Sequence, residues 1–423
     1  MLNFHTFFTR SEAVFLRSEQ LRARIRDIIT KSQLHKWIYF SILSIFRLNL
    51  RHHRRGSMNY YSVSLPNYTV GEGCYKEIPH KARYFGKNAV VIGGKTAMAK
   101  AKDKLLAGVE GSDLQITDFI WYGGNATYEN GDALIAMDAV KNADIIFAVG
   151  GGRACDTAKY VADKLDKPLF AFPTIASNCA AVTAISVIYK PDGSLREYYF
   201  PKIAEHTFIE TSIIADSPEN LLWAGIGDAL SKECEAVFGS SETELSHTPL
   251  MGVEVSHVCT EPLLKYGKKA LEDIRAKKAS YELEQVALDI IISTGIVSNL
   301  VTHLPEYYYN SCLAHCFYNG FTATPAGEKH LHGEVVSFGV LVQLNFAGEK
   351  ELLDRVAKFN LSIGLPVCLA DVDVTEADLD TIADRATQTT EWKFKPQHKG
   401  ITRDSFLQCI RDTDAYGKQL KTK

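Results

Sequence analysis

The clearest signal along the chain is a change in the period of its apolar positions. Between Asn88 and Pro173, short continuous apolar runs recur: NAVVIGG, LQITDFIWYGG, ADIIFAVGGG and KPLFAFP. Runs of this length, bounded by glycine or proline, predict buried strands. Between them, TAMAKAKDKLLAGV, ENGDALIAMDAVKNA and RACDTAKYVADKL repeat their apolar residues every three to four positions, which predicts helices. Strand and helix alternate, so the expected fold is a parallel α/β sheet with helices on both sides. SVIYKPDGSLREYYF then reads as a hairpin turning at Asp192-Gly193. From about Ser217 the segments PENLLWAGIGDALSKECEAVF, YELEQVALDIIISTGIVSNLV and HGEVVSFGVLVQLNFAG all read as helical. The expected division is an α/β domain over 58–217 and an all-helical domain over 218–423.

Composition narrows the function without naming it. The 423 residues are 46% apolar and 23% charged, with a formal net charge of -3. That excludes a disordered or fibrous chain, and no global charge points to nucleic acid or an acidic membrane surface. Nine cysteines are scattered without a C-x-x-C pair, which predicts reduced thiols and a cytoplasmic protein. Cys312 and Cys316 share a helix face, but a zinc pair needs two further ligands, so they read as core residues. The first 57 residues differ: they hold eleven Lys and Arg against three acids. Their one apolar run, Trp37 to Phe46, is too short to span a bilayer and unlike a secretory signal. A basic amphipathic membrane helix is one reading. We favour upstream sequence from a misassigned start, with Met58 as the natural beginning, and expect no membrane association.

Three places carry candidate chemistry. Gly150-Gly151-Gly152 joins a strand to a helix, so bare backbone and a helix N-terminus can cradle a phosphate. A tight strand–helix turn is the plainer alternative. The run IASNCAAVTA follows the next strand and lines the same sheet edge. Its small side chains leave room for a flat ring, and Thr174, Ser177, Asn178 and Thr183 offer polar contacts; a packed Ser/Ala-rich loop is the alternative. In the helical half, Asp228, His315 and His332 lie among apolar neighbours, where an unpaired ionisable group is costly. Each histidine alone reads as a hydrogen-bonded core residue, but together the three make a catalytic divalent-metal site with an open position.

GGGRACDTAK, PTIASNCAAVTAISVIY, GIGDALSK and AHCFYNGFTATPAGEKHLHGEVVSFGVLVQL together resemble the iron-containing (type III) alcohol dehydrogenases, in the branch of glycerol dehydrogenase and hydroxycarboxylate dehydrogenase. The resemblance runs from about Tyr60 to the C-terminus. It implies a dinucleotide-binding N-terminal domain, a helical metal-binding domain and an active site between them. It places Asp228, His315 and His332 on the family's metal ligands and Gly151 and Gly152 on its pyrophosphate loop. Thr174, Ser177, Thr183, Ile185 and Tyr189 fall on its nicotinamide and ribose contacts.

Departures from the family pattern refine the expectation. Lys232 stands where many iron-using members carry a fourth ligand, a histidine. Three protein ligands resemble the zinc-using branch, and affinity order also favours Zn²⁺ over Fe²⁺. Cys179 stands where glycerol dehydrogenases carry an aspartate for polyol hydroxyls, and a thiol accepts such bonds poorly. Lys232, four residues after Asp228, lies on the same helix face and can reach a substrate carboxylate; an ion pair with Glu233 or Glu235 is the alternative. Gly94 replaces an acidic residue that would bind the adenosine ribose, and Lys95 follows it, which leans toward NADP(H) over NAD(H). The expected reaction is hydride transfer between a small 2-oxo acid and its 2-hydroxy acid, with His330 and Tyr318 as candidate proton relays. A glycerol or polyol dehydrogenase is the alternative. A dehydroquinate synthase-like lyase and a non-catalytic binding protein are more distant ones. A homo-oligomer is expected.

Overall fold

Three of the apolar runs become the middle of one parallel sheet. The computed structural model describes residues 62–302, 308–393 and 400–422. The basic segment 1–57 and the Met58 start lie outside the described residues. Strands β2 (Asn88–Gly93), β4 (Ile145–Gly150) and β5 (Leu169–Pro173) are buried along nearly their whole length. Strands covered on both faces need that continuous apolar character. With β1 (Tyr68–Val70), β3 (Gln115–Trp121) and β8 (His206–Ile209) they form a sheet of order β1-β8-β5-β4-β2-β3, every neighbouring pair parallel. A separate antiparallel hairpin, β6 (Ser186–Tyr189) and β7 (Leu195–Tyr199), turns through Gly193 at φ 88°.

Helices α1 (Lys95–Val109), α2 (Tyr128–Ala136) and α3 (Gly152–Leu165) connect these strands. The sequence predicts one helix over ENGDALIAMDAVKNA; the structure breaks it at Met137, which is extended at ψ 133°, before a second short helix, Asp138–Asn142. The break leaves Met137 exposed and turns Val140 into the core. Strands β1 and β8, of three and four residues, escaped the sequence reading because such short runs carry no period.

After β8 no further strand occurs among the described residues. The elements that matter for the site are α4 (Glu219–Ala229), α5 (Ser231–Ser240), α6 (Tyr281–Leu288), α7 (Thr294–Val301), α8 (Leu313–Phe321) and α9 (His332–Ala347). Helix α9 is apolar nearly all round and buried, the mark of a central helix. Helices α4 and α8 pack against it. Between α6 and α7, Asp289–Ser293 forms a π-turn. The stretch Tyr281–Val301 is long and apolar enough to cross a bilayer, but 72% of its apolar window is buried against the rest of the chain, as in a core helix. One face of the sheet shares a core with these helices. The other face is filled by aromatic rings, including Phe172 stacked on Phe208 at 5.3 Å.

Candidate metal and cofactor site

Asp228, near the end of α4, His315 on α8 and His332, the first residue of α9, converge on one point. Their ligand atoms all lie within 4.8 Å of one another. Asp228 Oδ1 is 3.1 Å from His332 Nε2 and 3.7 Å from His315 Nε2. Ligands of a four-coordinate ion held at about 2.0–2.1 Å stand about 3.3 Å apart, so one carboxylate oxygen and two imidazole nitrogens fit a divalent metal. The helix crossing explains the convergence. Gly227 precedes Asp228 and Gly333 follows His332, and a Cβ on either glycine would overlap the opposite helix backbone. Burial raises the Asp228 pKa, but the His332 and His315 imidazoles outweigh it and hold the carboxyl below its usual range. His315 experiences the opposite balance: burial lowers its pKa, yet Glu235 and then Asp228 outweigh this and lift it to about 9.

Lys232 lies on α5 beside these residues, 7% exposed. Its ammonium donates to the Asn310 carbonyl at 3.1 Å and to Asn310 Oδ1 at 2.7 Å. Both partners are neutral, and no carboxylate pairs with it among the described residues. The acids that might have neutralised it are engaged elsewhere: Glu233 holds His257 at 2.9 Å and Glu235 holds His315 at 2.7 Å. Burial raises the Cys179 thiol pKa, and the Lys232 charge opposes that rise, so the two groups lie within electrostatic range of each other. Gly295, just past the π-turn, lies against Val182 and Cys179. Tyr318 sets its ring edge against His332, centroids 4.2 Å apart, and burial pushes its hydroxyl up to about 12. His330 has both ring nitrogens occupied, Nδ1 by Glu334 at 2.9 Å and Nε2 by Asp373 at 3.3 Å.

The remaining sequence-predicted residues gather at the strand ends. The strand order reverses at β2, with β3 on one side and β4 on the other, which opens a crevice at their C-terminal ends. There the Gly94 N–H donates to the Val149 carbonyl at 3.2 Å, and Gly150 takes φ 146°, a backbone open to glycine alone. Gly151 is the N-cap of α3 and supplies no side-chain cap, so the first N–H groups of that helix have no side-chain partner. The loop after β5 covers this turn: side chains on Gly151 and Gly152 would meet Ile175 and Asn178. Thr174 is buried and its N–H reaches the Gly150 carbonyl at 3.3 Å. Ser177 lies against Gly225 of α4, three residues before Asp228. Thr183 and Ile185 present their carbonyls to Lys159, which also pairs with buried Asp156 at 3.0 Å. Tyr189 carries the Arg153 guanidinium 5.1 Å from its ring centre. At the outer end of the crevice, Lys95 Nζ sits 4.4 Å from the Trp121 ring centre.

Sequence reasoning missed Asn310, Lys159 and Asp156, and offered Glu235 only as an ion-pair partner for Lys232. Their signal was faint: a charge in an otherwise apolar helix face, such as Asp156 and Lys159 in DTAK. What each one touches depends on loops distant in sequence.

Comparison with known proteins points one way. The sequence pattern of iron-containing alcohol dehydrogenases matches residues 66–210. A glycerol dehydrogenase from Thermotoga maritima is 31% identical over 311 residues, 71% of this chain and 82% of that protein. Hydroxycarboxylate dehydrogenase A from Escherichia coli is 32% identical over 301 residues, 70% of this chain and 80% of that protein. The crystal structure of glycerol dehydrogenase from Schizosaccharomyces pombe, 26% identical, superposes with a TM-score of 0.71 over 85% of this chain and 93% of its own. The chain therefore belongs to the iron-containing alcohol dehydrogenase family, in its glycerol dehydrogenase branch, and is an oxidoreductase acting on hydroxyl groups.

Proposed function

We propose that the protein interconverts a small 2-oxo acid and its 2-hydroxy acid, using NADP(H) in preference to NAD(H) and one divalent metal, Zn²⁺ before Fe²⁺. The observation that carries the acid assignment is Lys232: a buried ammonium with two neutral partners beside the Asp228–His315–His332 cluster. Among the described residues its hydrogen-bond partners are both neutral; a buried charge so placed is costly, and a substrate carboxylate supplies a charged partner. Cys179 adds no negative charge that would repel it.

Asp228, His315 and His332 would hold the metal, and residues 218–423 would form the metal-binding part. Residues 58–217 would hold the dinucleotide. Gly150, Gly151 and Gly152 with the α3 N-terminus receive the pyrophosphate. Thr174, Ser177, Thr183, Ile185 and Tyr189 line the nicotinamide side; Gly94 and Lys95 receive the adenosine side, where Lys95 attracts a 2′-phosphate. When bound, the metal supplies Lewis acidity at the substrate oxygen and the nicotinamide supplies or accepts the hydride. Lys232 anchors the carboxylate and so fixes which carbon faces the cofactor floor. The loop 174–185 walls the pocket with small side chains. Tyr318, whose ring lies against His332, is the better candidate relay, because both ring nitrogens of His330 are already occupied. Nine free cysteines support a reducing, cytoplasmic setting.

A second reading, oxidation of glycerol or another polyol with NAD(H), is favoured by the names of the relatives in Thermotoga maritima and Schizosaccharomyces pombe. A panel of 2-oxo acids and polyols, each with both cofactors and on metal-analysed protein, separates the two. The expected result is reduction of short 2-oxo acids such as 2-oxobutanoate. Glycerol turnover with NAD and no response to 2-oxobutanoate overturns the acid reading.

A further inference from the structure

Glu235 is fully buried on α5, 0% exposed, and carries no Lys or Arg partner among the described residues. Its two oxygens face different tasks. Oε1 accepts the backbone N–H groups of Cys312 at 2.6 Å and His315 at 3.0 Å, two of the four unpaired donors at the start of α8. Gln343 of α9 takes the other two, Leu313 at 2.9 Å and Ala314 at 3.2 Å. Glu235 Oε2 meets His315 Nδ1 at 2.7 Å, while the same ring turns Nε2 toward Asp228.

We infer that Glu235 is the residue that positions His315 for the metal, keeping a proton on Nδ1 so that Nε2 is the nitrogen that gives up its proton and coordinates. The inference rests on the metal-site reading above. An ionised carboxylate only accepts, so the Nδ1 side must donate. Buried carboxylates paired with ligand imidazoles orient the ring and raise its basicity, and their loss costs about 10- to 100-fold in metal affinity. Here one carboxylate fixes both the helix that carries the ligand and the tautomer of the ligand itself.

Glu235→Gln separates the two tasks. The amide keeps an oxygen for the two backbone N–H groups. It presents an N–H to Nδ1, which then stays bare and shifts the ring proton to Nε2, the atom that must coordinate. The experiment is Zn²⁺ affinity by competition with a chromophoric chelator, together with the thermal midpoint of the chelated protein. The expected result is an affinity about 10- to 100-fold weaker, with the chelated midpoint near that of the wild type. Wild-type affinity in Glu235→Gln overturns the inference and leaves the metal site standing. A wild-type protein that takes up neither Zn²⁺ nor Fe²⁺ overturns the metal site as well. A crystal structure of the Zn²⁺-loaded wild type checks the same point without any variant: His315 coordinating through Nδ1, or turned away from Glu235, overturns it.

Discussion

Lys232 owes its importance to what surrounds it. In water an ammonium is solvated on all sides; here, among the described residues, its hydrogen-bond partners are the two Asn310 oxygens. A charge-assisted hydrogen bond to a substrate carboxylate is worth about 1.5–3 kcal/mol, which is about 10- to 100-fold in kcat/KM. Lys232→Met should therefore lower kcat/KM for 2-oxo acids by that factor relative to polyols, measured as initial rates over the substrate panel. An unaltered acid-to-polyol ratio would remove Lys232 from substrate recognition. Cys179→Asp probes the same acid-substrate reading from the other side. A carboxylate there should repel an acid substrate and offer acceptors to hydroxyls, moving the ratio toward polyols. Both residues were legible in the sequence as departures from a family pattern. Their electrostatic proximity was not, because α5 and the loop after β5 are distant in the sequence.

At the level of elements, the α4–α9 crossing decides the metal geometry. Asp228 and His332 come together because Gly227 and Gly333 let the two backbones touch. Gly333→Ala would place a methyl group against the Ala224 carbonyl and force the helices apart, at about 1–3 kcal/mol for overpacking. The expected outcome is a lower thermal midpoint together with weaker Zn²⁺ binding, read by melting and by chelator competition; normal Zn²⁺ binding would show that the crossing has slack. A different element sets part of the acid stability. His206, on β8, shares a 2.8 Å hydrogen bond with Thr69, and burial, with Lys81 adding to it, holds its pKa down at about 4 against an ordinary 6.5. Between those values the unfolded chain binds this proton and the folded chain does not, so stability falls as pH drops through the window. His206→Gln should flatten the decline of the thermal midpoint between pH 6.5 and pH 4, while an equally steep decline would assign it to other groups.

For the whole molecule, the metal would tie α4, α8 and α9 together from positions 228, 315 and 332, so its binding energy appears as folding stability. At a free ion concentration 100 times its Kd, the gain is about 2.7 kcal/mol. Chelation should lower the melting temperature, Zn²⁺ should restore it, and Asp228→Ala should abolish the response. A response retained in Asp228→Ala would place the ion elsewhere.

The sequence by itself determined the parallel sheet, the helical second half, the Gly150–Gly152 turn and the three metal-ligand candidates. Local period, glycine spacing and residue chemistry are properties of short stretches and survive without the fold. The tertiary structure alone decided that Glu235 serves His315 and not Lys232, that His330 is occupied by Glu334 and Asp373, and that Met137 breaks a helix whose period continues through it. These outcomes depend on which side chain reaches a buried partner first among several within range. That is a matter of ångströms between elements far apart in the chain, and no local pattern records it.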